Sequence, residues 1–126
     1  VALATTADLT RTINFVHSSG SQDMTAGIKG ELTLDVTGQI DTWTIVGDVN
    51  GFLRVDIEKC SYNDYPNGFS SIVSTDYPTI AQGTMKGNND NLTVWDKTLV
   101  AGDILRFKVQ GVTSIRRFML GLKVLL

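Results

Sequence analysis

The closing third of the chain holds two stretches of strict alternation. Leu105, Phe107 and Val109 alternate with Ile104, Arg106 and Lys108. After Gly111 and Thr113-Ser114, Phe118, Leu120, Leu122, Val124 and Leu126 alternate with Arg117, Met119, Gly121, Lys123 and Leu125. A period of two over this length predicts antiparallel strands with one face in a core. The second stretch, residues 115–126, also carries Met119 and Leu125 on its other face. A strand apolar on both faces predicts burial on both. Arg117, Met119, Leu125 and the apolar end at Leu126 are therefore candidates for an interface between copies of the chain. The alternative is that the amino-terminal arm, residues 1–9, covers that face.

The same alternation recurs upstream. Residues 10–16 read as a first strand, with Ile13 and Phe15 on one face and Thr12 and Asn14 on the other. Residues 30–36 read as a second, with Leu32, Leu34 and Val36 inward. Residues 40–46 and 52–59 read as two more, joined by a turn through Gly47-Asp48-Val49-Asn50-Gly51, whose residues tolerate positive φ. Residues 61–86 hold both prolines and all three tyrosines, which predicts a long crossing connection with at most a helical turn or brief strand at 69–74. Gly87-Asn88-Asn89-Asp90-Asn91 reads as a turn cluster, and residues 92–99 as a strand carrying Trp95. The expected fold is all-β: one antiparallel β-sandwich of about eight strands, jelly-roll-like, over residues 10–126 behind the arm.

Composition narrows the function. A chain of 126 residues buries roughly two-thirds of its unfolded surface and needs no staples. The net charge is -2, with Arg116-Arg117 the sole basic pair, so no field attracts nucleic acid. No apolar run is long enough to cross a bilayer. The single cysteine, Cys60, reads as a small hydrophobe at a strand end.

No pattern supports catalysis. The single histidine, His17, falls at a strand end on the parity of Ile13 and Phe15, which predicts a structural place. Asp56 and Glu58 share the outward face of one strand, where acids are ordinarily solvated; paired acid chemistry would need one raised pKa. Asn88 to Asn91 offers oxygen ligands but lacks the carboxylates of a Ca²⁺ loop, so no metal is expected. Gly27, Gly30 and Gly38 precede no helix and make no phosphate loop. No cofactor is expected. Carbohydrate is the stronger ligand. Tyr62 and Tyr65 lie in the long connection among Asn63, Asp64 and Asn67, and loop residues carry function more often than core ones. Trp43 and Trp95, by contrast, read as core.

In the order Thr25-Ala26-Gly27-Ile28-Lys29-Gly30, Ile40-Asp41-Thr42-Trp43-Thr44-Ile45, Val55-Asp56-Ile57-Glu58-Lys59 with Tyr62 and Tyr65-Pro66, Leu92 to Trp95, Ala101-Gly102-Asp103-Ile104-Leu105-Arg106-Phe107 and Leu120-Gly121-Leu122-Lys123-Val124, the chain resembles a β-rich module of bacteriophage virion proteins. That module occurs at tail-fibre or receptor-binding tips and in small structural proteins. The chain departs from it at Glu58, where the family often has tryptophan, and at Asn67, where it has a second proline. The resemblance implies a virion structural protein, trimeric and without enzymatic activity. Its partners would be other virion proteins, and its ligand a host-surface carbohydrate. The expected place is a capsid decoration, a head fibre or a tail-fibre tip; the sequence shows neither a collagen-like repeat nor coiled-coil heptads, which adds weight to a capsid decoration or head-fibre protein anchored by residues 1–9. The competing reading is a free carbohydrate-binding module.

Overall fold

One long strand organises the molecule. The computed structural model describes residues 9–126, and its elements are β1 (Thr10–Ser18), β2 (Gly27–Thr33), β3 (Gly38–Cys60), β4 (Ser70–Ser71), β5 (Thr79–Asn89), β6 (Thr98–Leu99), β7 (Ile104–Thr113) and β8 (Arg117–Leu125). All pairings are antiparallel, in one eight-stranded sheet with the main order β1-β8-β3-β7-β2. The first half of β3, to Gly47, pairs with β8, and its second half, from Phe52, pairs with β7. The opposite edge of β3 is taken in turn by β6, β5 and β4. The β1–β8 and β7–β2 pairs thus leave the same edge of one strand at successive points and form two wings.

The wings curl towards each other over a shared core. Phe15 of β1 stacks on Phe107 of β7, with ring centroids 4.3 Å apart and planes 10° from parallel. Phe118 of β8 completes the cluster, 6.0 Å from Phe15. The inward residues of β3 (Leu53, Val55 and Ile57), of β7 (Leu105, Phe107 and Val109) and of β8 (Phe118, Leu120, Leu122 and Val124) are all buried. At Gly30 of β2 the approach is so close that a Cβ would come 2.7 Å from the Phe15 ring. Trp43 and Trp95 are core residues, as the sequence predicts.

Three expectations need correction. The segment from Gly47 to Gly51 does not reverse the chain. It bulges, with Val46 opposite Lys86 and Gly51 opposite Thr84, so 40–46 and 52–59 are parts of one 23-residue strand. Residues that tolerate unusual backbone serve a bulge as well as a turn. Asp48 in the bulge accepts the backbone N–H groups of Arg116 (3.1 Å) and Arg117 (3.3 Å), tying it to the entry of β8. The end of the expected crossing connection and part of the Asn cluster form β5, with Gly87, Asn88 and Asn89 paired to Ile45, Thr44 and Trp43. Conversely, residues 92–97 form a turn rather than a strand, leaving Thr98 and Leu99 alone in β6. There Trp95 donates its indole N–H to the Asp76 carbonyl at 3.0 Å. The expected arm, residues 1–9, lies outside the described residues except for Leu9, whose carbonyl accepts the Leu126 N–H at 2.9 Å.

Candidate ligand-binding cleft

After β3 the chain folds back across the outer face of the β3–β7–β2 wing. Two outward residues, Cys60 at the end of β3 and Ile104 at the start of β7, sit opposite each other and are buried. The Cys60 thiol donates to the carbonyls of Ser61 and Asn67, at 3.1 and 3.0 Å. Asp64 and Tyr65 both donate backbone N–H groups to the Ser61 carbonyl, and Asn67 donates to that of Asp64. These bonds wind the loop into a tight turn, helped by a cis peptide at Tyr65-Pro66. Phe69 then lies over the Arg106 guanidinium at 3.9 Å and edge-on to Tyr65. Arg106 is also held by Glu58, Nε to Oε1 at 2.8 Å.

The fold-back brings the loop against β2. The Tyr65 hydroxyl donates to Glu31 Oε1 at 2.8 Å. That bond to Glu31 and its negative charge, with burial, push the Tyr65 phenol above its ordinary pKa, so it remains a protonated donor well into the alkaline range. Between loop and sheet lies a cleft of about 660 Å³. It is lined by Tyr62, Asn63 and Tyr65 of the loop, by Glu31, Leu32 and Thr33 of β2, and by the buried Ile104 of β7. Tyr62 is 72% exposed and Tyr65 46%. Both tyrosines thus leave much of their aromatic surface to solvent at the cleft.

Of the five residues read as ligand contacts, Tyr62, Asn63 and Tyr65 line this cleft. Asp64 and Asn67 do not line it; their backbone groups build the turn that presents the others. Glu31, Thr33 and Ile104 escaped sequence reasoning. Glu31 and Thr33 alternate with inward residues in β2 and read as an ordinary solvated face, and only the topology sets them beside a loop some 30 residues on.

The four interface candidates separate along β8. Arg117 and Met119 border a hollow of about 230 Å³ together with Val16 and Val46. Val16 and Val46 flank Met119 as its direct partners on β1 and β3. Val16 is 61% exposed and Met119 37%. Leu125 lies at the far end of the strand, opposite Thr10 and Gln39. Between them come Gly121 and Lys123, and Lys123 approaches Asp41 at 4.0 Å. The outer face of β8 is therefore apolar at its Met119 end and polar in its middle.

The residues weighed for chemistry are placed structurally. Asp56 faces outward with Glu58 but is not solvated. It is 7% exposed, beneath β4, and accepts from Ser71 Oγ at 2.7 Å and Gln110 Nε2 at 3.4 Å. A buried carboxylate bonded this way ties β4 to β3. His17 is partly buried with its ring 6.2 Å from that of Phe118. Burial, then the charge of Lys29, lowers its pKa, which favours the neutral imidazole. Among the described residues no group of three or more His, Cys, Asp or Glu side chains could hold a metal ion, and no helix is long and apolar enough to cross a membrane.

Compared with protein-family descriptions, curated proteins and solved structures, the chain matches none of them. The class of protein is accordingly argued from its own fold and cleft: an all-β, antiparallel domain with an exposed aromatic cleft on one wing.

Proposed function

We propose that this chain is a non-enzymatic structural protein of a bacteriophage particle that works by surface attachment and holds a host-surface glycan in the Tyr62–Tyr65 cleft. The observation that carries the reading is the cleft itself. Two exposed tyrosines line it with Glu31, Thr33 and Asn63 and the apolar Ile104, which pairs aromatic surface for the C–H face of a sugar with polar groups for its hydroxyls. In this reading the curled sheet is a jelly-roll-like sandwich whose two sheets share β3. Copies of the chain meet as a trimer through the Met119 end of β8, where Val16 and Val46 extend its apolar surface. The resemblance in motif order supports the virion; the cleft supports attachment.

Tyr62→Ala and Tyr65→Ala are each expected to weaken binding to a glycan array about fivefold or more without changing the far-ultraviolet circular dichroism, since one lost stacking contact is worth about 1 kcal/mol or more. Retained binding in both variants would remove the cleft from the reading. Mass spectrometry of purified particles should find the chain; its absence there, with glycan binding intact, would make it a free carbohydrate-binding module. Sedimentation at micromolar concentration is expected to give a trimer that Met119→Asp and Val16→Asp dissociate. A monomeric wild-type chain would remove the copy-to-copy contact.

A further inference from the structure

We propose that the cleft selects a positively charged group, so that the glycan it takes carries a free protonated amine in place of an acetamido, sulfate or carboxylate substituent. This inference rests on the glycan reading above and specifies its ligand. Among the described residues Glu31 is the one charged side chain in the lining. One of its oxygens accepts the Tyr65 hydroxyl, which fixes the carboxylate against the ring that a ligand would contact. No cationic side chain among the described residues lines the cleft to neutralise it. The nearest candidate, Arg106, is engaged elsewhere: its Nε bonds Glu58 and its guanidinium lies over Phe69.

The surroundings have the same sign. The buried Cys60 thiol, under the same loop, is pushed above its ordinary pKa by burial and by the charges of Asp64, Glu31 and Asp103, with Arg106 alone opposing. Arg106, the cross-strand partner of Glu31, is the one counter-charge acting on this loop, and its Nε is bonded to Glu58; an anionic ligand would enter a field in which carboxylates outnumber cations, and a neutral acetamide would gain nothing from it. An ammonium gains twice, from the carboxylate and from the negative faces of Tyr62 and Tyr65. Both gains are largest where water is partly excluded, as beside the buried Ile104.

The test uses matched ligands titrated calorimetrically into the whole chain: a tetramer of glucosamine, its fully N-acetylated counterpart and an acidic uronic tetramer. At about pH 6 the glucosamine amines are protonated. The glucosamine tetramer is expected to bind at least tenfold more tightly than the acetylated one, with the acidic tetramer weakest. Added salt should narrow the gap. Glu31→Gln keeps an acceptor for the Tyr65 hydroxyl and should abolish the preference while retaining residual binding. Equal affinity for the two tetramers, tighter binding of the acetylated or acidic one, or a preference that survives Glu31→Gln would overturn the charge inference and leave the glycan reading standing. Failure of all three tetramers to bind would overturn the inference, and failure across a broad glycan array as well would overturn the glycan reading with it.

Discussion

Phe107→Ala should destabilise the fold by about 3–5 kcal/mol, the usual cost of deleting a large buried ring. Native domains are stable by only about 5–15 kcal/mol, so the variant would sit near the edge of folding. The reason is architectural. Phe107 is 1% exposed and stacks at 4.3 Å on Phe15, which belongs to the other wing of the sheet. β1 and β7 are not paired to each other by backbone bonds, so side chains hold the wings together at this point. Urea unfolding, followed by the fluorescence of the buried Trp43 and Trp95, measures the loss. The single substitution reports burial; a double-mutant cycle of Phe15→Leu and Phe107→Leu reports contact. A coupling of about 0.5–1.5 kcal/mol is expected from the ring pair. If the two substitutions simply add, the wings do not meet through these rings and the curled architecture is wrong.

Where one face of a strand is buried, the sequence announces it. The alternation of Phe118, Leu120, Leu122 and Val124 locates β8, and Leu105, Phe107 and Val109 locate β7, because each inward residue is buried while the outward ones, Ile104 and Gly121 excepted, are not. β5 gives no such signal. Ala81 to Lys86 are exposed in succession, so that stretch is held by its backbone ladder to β3 and carries no period. Leu92, Trp95 and Leu99 err in the other direction. All three are buried, yet Leu92 and Trp95 lie in a packed turn, and only Leu99 is in a strand, β6. The cleft was half legible. Tyr62, Asn63 and Tyr65 stand out as aromatic and amide residues in a loop, but Glu31 and Ile104 join them only through the β2–β7–β3 pairing, which no local pattern encodes. Asp56 shows the same limit: its outward parity is as read, and its partners are Ser71 of the neighbouring β4 and Gln110 of β7, which no local pattern names.

The switch of β3 from one wing to the other depends on the smallness of Gly51. Gly51→Ala is expected to cost about 2–3 kcal/mol, as overpacking of a tight interior does, and to lower Tm by roughly 10 °C. Gly51 lies at the end of the bulge, just before β3 takes up β7 at the Phe52–Thr113 pair. A Cβ there would overlap the Thr113 carbonyl oxygen and come 3.0 Å from Ile115, a fully buried side chain. The obstruction is backbone, so no rotamer relieves it; β3 and β7 would have to separate where the wings diverge. Gly51 is not among the positive-φ residues, so its effect isolates crowding from backbone conformation. Gly20 supplies the converse control. Its φ is +71° and a Cβ would meet nothing within 4 Å, so Gly20→Ala pays conformational strain alone, a cost of about 1 kcal/mol. Thermal unfolding of the two variants side by side should rank Gly51→Ala as clearly the more damaging. The opposite rank would mean that the bulge has slack, and that the divergence of the wings is set elsewhere than at the contact of Gly51 with Thr113 and Ile115.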